Sequence, residues 1–350
     1  MSSKINIKAL SLEDLKEKLS TLGVEGYRAQ QIRQWLYQKQ ASSFEEMTNI
    51  KKEFRKVLEE NFEIPRLSVS GSQLSSDGTC KYLIRLHDGH LIECVFIPSE
   101  DRSTLCVSSQ VGCGMGCRFC LTATMGIIRN LSIYEIVDQI GAVIRERNSR
   151  TELTNLVFMG MGEPLANPQN LYPALEILLD PTCYGFSRQH ITVSTSGLAP
   201  EIEKFGDKTP VKLAISLNAT TNPVRDDVMP INKKFPIERL LEACSKTHLP
   251  KRNRITFEYV MLHGVNDTLE DAHRMVKMLR SLKAKINLIP FNEFPESFYK
   301  RPPDEWIFKF QKVLLDAGYV ANIRRSRGRD ILGACGQLAK KGWEGKESLN

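Results

Sequence analysis

From about residue 103 onward the sequence alternates between short strand-like runs and longer helical patterns, and this alternation restricts the fold more than any other feature. The strand-like runs are "TLCVSS", "NLVFMG", "HITVST", "VKLAIS", "RITFEYVML", "KINLIPF" and "YVANIRR". Between them stand "SIYEIVDQIGAVIRER", "NPQNLYPALEILL", "PIERLLEACSKT", "TLEDAHRMVKMLRSL" and "DEWIFKFQKVLLDAG", with apolar residues at helical spacing. Repeated β–α units of this kind build a parallel sheet with right-handed crossovers. About six units are present rather than the eight of a closed barrel, so the expected fold is α/β, an incomplete (β/α)6-type barrel over residues 101–350. Working residues of such folds gather past the carboxyl ends of the strands. Here those positions hold three cysteines after the first strand, then "GMGEP", "STSG", "SLNA" and, after the sixth, "PFNEFP". All five segments are expected at one mouth.

Two further segments precede the barrel. Residues 1–75 read as a separate helical accessory domain, with a capping box from Ser11 to Asp14 and helical patterns in "YRAQQIRQWLYQKQ" and "EEMTNIKKEFRKVLEENF". Tyr27, Trp35 and Tyr37 lie among Arg28, Arg33 and Lys39, a mixture that suits RNA, although the balanced charge of the segment points first to a packed bundle. Residues 76–100 read as a β-hairpin, "CKYLIRLHDGHLIECVFIP", turned by Asp88-Gly89. Alternation along its second strand puts Cys94 in the core and Glu93 on the opposite, solvated side.

No apolar run reaches membrane-spanning length, and the first residues lack the apolar heart of a signal peptide, so a cytoplasmic monomer away from membranes is expected. In that reducing compartment nine cysteines imply metal binding or catalysis rather than disulfides. Cys80, Cys94, Cys183 and Cys244 are scattered among apolar residues and read as packed thiols. The net charge of +7 permits a polyanionic partner without requiring one.

The run "CVSSQVGCGMGCRFC" ends in Cys113, Cys117 and Cys120, spaced C-x3-C-x2-C. On one tight loop these can hold three irons of a 4Fe–4S cube, and no further cysteine follows at cluster spacing to close the fourth corner. An iron without a protein ligand can bind and activate a substrate. Zinc is the alternative, but it asks for four closed ligands, and none of the six histidines stands at zinc-like spacing to the loop. Near the other end Cys335 lies in "LGACGQ", after Arg324, Arg325, Arg327 and Arg329, an arginine run that favours an exposed thiolate. Cys106, just ahead of the loop, should point near it. For Cys335 and Cys106 alike, packing as a small hydrophobe is the plainer alternative.

The cysteine loop resembles the signature of the radical S-adenosylmethionine enzymes, in which the open iron chelates the methionine part of the cofactor. "FMGMGEP" sits where that family receives the methionine amino group, here on backbone and Glu163. A narrower likeness is to the RlmN and Cfr adenosine methyltransferases. It rests on "RRSRGRDILGACGQLA", "CVSSQVGCGMGCRFC", "RNLSIYEIVDQI", "GMGEPLANP", "HITVSTSGL", "VMPIN" and "YVMLHGVND" and covers nearly the whole chain.

This resemblance implies methylation of carbon 2 of adenosine in ribosomal or transfer RNA, with a 4Fe–4S cluster and two S-adenosylmethionine molecules per turnover. It implies an electron donor such as flavodoxin or ferredoxin. Cys335 would carry the methyl group, forming a transient RNA–protein thioether. Cys106 would resolve that adduct by disulfide formation with Cys335, and Glu93 would remove a proton from it. Cofactor contacts would come from Gly162, Glu163, Ser194, Ser216, Leu217 (backbone only), Asn218 and Asn292. The arginine run beside Cys335 would bind phosphate. The family usually has His where Asn218 stands, and Gly333 replaces a usual Ala. Pro164 favours the RlmN side over the Cfr side, which modifies carbon 8. A non-catalytic iron–sulfur RNA-binding protein is the alternative from another class, and the retention of both reactive thiols with Glu93 argues against it.

Overall fold

The computed structural model describes residues 4–149, 152–251, 253–295 and 297–338. Among them ten strands form one sheet in which spatial order equals chain order. We number them β1 (Ser68–Leu74), β2 (Cys80–Arg85), β3 (Leu91–Pro98), β4 (Ser103–Cys106), β5 (Asn155–Phe158), β6 (Ile191–Thr195), β7 (Lys212–Ser216), β8 (Ile255–Met261), β9 (Ala284–Pro290) and β10 (Ala321–Ile323). Strands β4 to β10 are parallel, while β1 to β4 pair antiparallel. A doubly wound sheet reverses its order midway; sequential parallel order is that of a barrel, here left open. Each of the seven strand-like runs lies on one of β4 to β10.

The helices are α1 (Leu12–Thr21), α2 (Arg28–Arg33, running into a π turn over Gln34–Gln38), α3 (Lys52–Asn61), α4 (Ile133–Arg147), α5 (Pro168–Leu179), α6 (Ala199–Lys208), α7 (Asn222–Val228), α8 (Ile237–Lys246), α9 (Leu269–Met278) and α10 (Asp304–Asp316). Helices α6 and α7 were not expected from the sequence. A proline in its first turn and Gly206 obscure α6, which buries Ala199, Ile202 and Phe205 at every third position.

The parallel strands alternate strictly. Leu156, Phe158, Ile191, Val193, Leu213, Ile215, Phe257, Tyr259, Ile286 and Leu288 are fully buried on the helix-covered face. Each such side chain contributes about 1.5–3 kcal/mol on burial. The register places Cys106, Ser194, Ser216, Glu258 and Asn287 on the other, inner face, together with the apolar Val157, Ala214, Val260 and Ile289.

Two expectations change. Ser68–Leu74, assigned to the helical segment 1–75, is the edge strand β1; the helical part ends at Asn61. Its sequence, "SVSGSQL", is small and polar, with a bulge between Val69 and Gly71 and Leu74 pointing outward, so no apolar alternation announces it. The helices also do not stand apart from the barrel. Ile7, Leu15, Leu19, Ile32, Leu36 and Leu58 belong to the same apolar core as the outer face. Lys8 forms a buried ion pair with Asp138 of α4 at 2.8 Å. The other oxygen of Asp138 accepts from Leu67 N–H at 2.7 Å and from Arg145 at 2.9 Å. No helix of the described residues is long and apolar enough to cross a membrane.

Asp138 therefore terminates three donors in a dry interface, and its removal strands a buried ammonium. Asp138→Ala should lower unfolding stability by about 3–5 kcal/mol, read from the urea midpoint.

Candidate active site

The cysteine loop is held between two short antiparallel strands, Gln110–Gly112 and Ile127–Asn130. Gly112 has φ +76°, and a Cβ there would lie 2.0 Å from Gly126 O, so only glycine lets the loop close. Cys113 N–H donates to Gly126 O at 2.8 Å and Cys120 N–H to Cys117 O at 3.1 Å. On the far side Arg118 N–H donates to Val228 O, and the Arg118 guanidinium pairs with Asp227. Arg129, on the returning strand, bonds Glu135 of α4 and Asp88 of the hairpin, fixing the loop to both. Cys113, Cys117 and Cys120 are half-buried. Three thiols on one loop are the donor set of three corners of an iron–sulfur cube, each taking its own iron. Among the described residues no group of three His, Cys, Asp or Glu converges on a single metal ion.

The segment after β5 lies directly beside this loop. Gly160 and Gly162 pack so closely on the strand after β4 that a Cβ would meet Val107 O at 2.7 Å and Gln110 at 2.6 Å, respectively. Gly162 also has φ +101°. The close approach lets Gln110 Oε1 accept Glu163 N–H at 2.8 Å. Glu163 is buried, accepts from Leu165 N–H at 3.0 Å and from Ser196 N–H at 2.6 Å, and its charge acts on Cys113 and Cys117. Burial raises its pKa, and the bond from Ser196 opposes the rise.

Ser194 and Ser216 are half-buried on the inner face. Leu217 is fully buried; its N–H donates to Glu258 O and its carbonyl accepts from Arg225. Asn218 is buried at φ +53°, a left-handed backbone that asparagine tolerates. Its Oδ1 accepts from Val260 N–H at 2.7 Å and its amide reaches Met229 Sδ, so the side chain ties β7 to β8 rather than facing the mouth. Asn292 differs. Its amide donates to Cys335 O at 3.2 Å, while among the described residues its Oδ1 has no hydrogen-bond partner although it is buried. An orphaned acceptor at this mouth matches a site shaped for a ligand with donors.

The segment carrying Cys335 is stitched across the mouth. Leu121 N–H donates to Gly336 O at 2.7 Å and Thr122 to Leu338 O at 2.6 Å, joining it to the cysteine loop. Ser75 and Ser76 bond Asp330, and Asp77 accepts from Gly328 N–H, joining it to the turn after β1. Cys335 remains accessible to solvent within a recess. Burial raises its pKa, Glu258 adds to the rise and Arg324 opposes it. Of the arginine run, Arg324 is the member that acts on the sulfur, and it favours the thiolate against the opposing effect of burial. Cys106 is buried, and its thiol is raised by burial and by the nearness of Cys335 rather than by the cluster cysteines. All four arginines are exposed, and of them Arg324 acts on Glu258 and Cys335.

Glu93 requires a correction. It shares a face with Val95, which is paired with Cys106, so it lies on the inner face as a diagonal neighbour of that thiol. It is not solvated but 1 % exposed, and it forms an ion pair with the buried Lys81 at 3.3 Å. The open barrel is extended by β1 to β3, so the side that faces solvent in an isolated hairpin becomes interior.

Three residues escaped sequence reading. Lys81 sits in an ordinary strand pattern, Glu258 in an apolar run, and Arg225 in a charged one. Arg225 is fully buried and donates to the carbonyls of Ser196, Ser216 and Leu217 and to Asn232 Oδ1. Burial lowers its pKa to about 10. It closes the carboxyl ends of β6 and β7, a role only the folded chain reveals.

Residues 107–279 match the Radical SAM superfamily, and residues 5–64 match the Ribosomal RNA large subunit methyltransferase N-terminal domain. The chain is 52% identical to a Dual-specificity RNA methyltransferase RlmN of Geobacter sulfurreducens, covering 97% of this chain and 94% of that protein. It is 51% identical to the protein of that name from Geotalea uraniireducens, covering 96% of each. The crystal structure of a radical SAM methyltransferase from Sphaerobacter thermophilus superposes with a TM-score of 0.86 at 40% identity, covering 95% of this chain and 99% of that one.

Because Arg225 satisfies three buried carbonyls, Arg225→Met should cost at least about 3 kcal/mol of stability, measured by urea unfolding.

Proposed function

The chain belongs to the RlmN family of radical SAM RNA methyltransferases, and from that premise we propose that it methylates carbon 2 of adenosine through Cys335. The superfamily brings a 4Fe–4S cluster and S-adenosylmethionine, which together supply hydrogen-atom abstraction at an unactivated carbon. Cys113, Cys117 and Cys120 would hold the cluster. Gly162, Glu163, Ser194, Ser216 and Asn292 would line the cofactor, with the free Asn292 Oδ1 as acceptor. Leu217 and Asn218, whose polar groups are engaged within the protein, would act by shape.

Adenine ring carbons are poor nucleophiles, so a methyl group cannot pass to them directly from a sulfonium. Cys335 first takes a methyl group from one cofactor molecule. Hydrogen-atom abstraction supplied by cofactor held beside the Cys113, Cys117 and Cys120 loop would let that S-methyl carbon join the adenine ring as a methylene bridge to sulfur. The hydrogen leaves with the adenosyl part, and the surplus electron passes to the cluster. Glu93 accepts the ring proton. The Cys106 sulfur then attacks the Cys335 sulfur: an S–S bond forms, the S–CH2 bond breaks with its electron pair going to carbon, and that carbon takes a proton to become the methyl group. Exposed Arg325, Arg327 and Arg329 would bind RNA phosphates around the recess. An electron donor of the flavodoxin or ferredoxin class starts each turnover.

The observation that carries this reading is the bond from Leu121 to Gly336, which sets Cys335 against the cysteine loop on the same inner face as Cys106 and Glu93. Two RNA classes, ribosomal and transfer, are assigned as substrates; the dual specificity in the names of the relatives supports this.

Protein prepared without air, with iron and sulfide restored, should convert unmodified RNA to 2-methyladenosine given cofactor and reductant, as read by nucleoside mass spectrometry. Cys335→Ala should abolish the product. An 8-methyl product would replace the carbon 2 assignment, and full cluster content with no methylated adenosine would refute the function.

A further inference from the structure

Lys81 is a fully buried lysine, placed by the hairpin on the inner face of the sheet and paired with Glu93 at 3.3 Å. In the register of β2 and β3, Lys81 stands opposite Val95 and Glu93 opposite Leu83, so the two are diagonal neighbours on one face. We propose that Lys81 is a positioning residue for methyl transfer, holding Glu93 ionised and aimed so that it can accept the ring proton of the RNA adduct. This inference rests on the role given to Glu93 above.

Three considerations lead to it. A carboxylate with 1 % exposure tends toward its neutral form, because burial disfavours the charge, and a neutral carboxyl cannot act as a base. A cation within contact distance opposes that tendency. Packing does not account for the lysine, since an apolar residue of similar volume serves a dry core at least as well as a buried ion pair does. What an apolar residue cannot supply is charge.

The proton transfer balances without a further reagent. Once the surplus electron of the addition has passed to the cluster, the adduct is a closed-shell cation whose ring carbon carries both its hydrogen and the methylene bridge. The C–H bond breaks, its electron pair restores the aromatic ring, and the proton passes to Glu93. Neutral Glu93 then no longer offers its charge to the Lys81 ammonium, and recovery of that attraction favours release of the proton and resets the pair. The strands β1 to β3, outside the parallel barrel, thereby gain a chemical purpose: they deliver a charged pair to the inner face beside Cys106.

The test compares Lys81→Met, Lys81→Arg, Glu93→Gln and the parent as full-length, cluster-loaded proteins in single turnovers with an unmodified RNA transcript. Three products are measured: 5′-deoxyadenosine, methylated adenosine, and the covalent RNA–protein adduct on denaturing gels. We expect Lys81→Met to form 5′-deoxyadenosine at the parent level, to lose methylated product by about 100-fold or more, and to accumulate adduct as Glu93→Gln does. Lys81→Arg, which keeps the charge, should recover most of the product. Parent-level methylation by Lys81→Met, with adduct trapped only in Glu93→Gln, would overturn the inference and leave the role of Glu93 intact. Loss of 5′-deoxyadenosine in both lysine variants would reduce Lys81 to a structural residue and overturn the inference equally. If Glu93→Gln itself turns over without trapping adduct, the reading of Glu93 fails first and the inference falls with it.

Discussion

Everything in this molecule depends on a parallel sheet whose polar side chains are gathered mainly on one face. Parallel strands are usually covered on both faces and read as continuous hydrophobic runs. Here helices cover the outer face, and its Leu, Ile, Val and Phe side chains supply the core. The inner face instead carries Cys106, Ser194, Ser216, Glu258 and Asn287. A sheet so divided cannot lie flat between two helical layers. It curls around its polar side, and the open barrel is the shape that results.

The polar interior imposes its own accounting of charge. Glu93 is matched by Lys81, Glu258 accepts from Asn287 at 2.8 Å and feels Arg324, and Glu163 is bonded by two backbone amides. At the carboxyl ends of the strands Arg225 answers several carbonyls at once. Each charge has a local answer, as low-dielectric surroundings demand. Among the uncharged groups of the described residues, Asn292 Oδ1 is one of the buried atoms left without a hydrogen-bond partner, and it lies where a ligand is expected.

How much of this could be read from the sequence varied with the physics behind each residue. The seven parallel strands were legible because each is a short apolar run, most of them set off by a helical pattern. The cysteine loop was legible because its spacing is local. Glu93 was misread because solvation of a hairpin face depends on what the hairpin joins, and that lies outside its own residues. Leu217 and Asn218 are at the expected place, but their bonding partners, Glu258, Arg225 and Val260, come from other elements. At Cys335 neighbours in sequence are not all neighbours in space: of the arginine run, Arg324 is the member that acts on the sulfur. Ser68–Leu74 carried too little hydrophobic signal to be seen as a strand at all.

The stitch between Thr122 and Leu338 spans 216 positions of chain. During synthesis at roughly 5–20 residues per second, the cysteine loop leaves the ribosome well before the segment that covers it. For that interval the nascent chain holds the loop without Cys335, and the sulfurs of Cys106 and Cys335 cannot meet. The mouth of the barrel is therefore completed last, when almost all of the fold around it has been made.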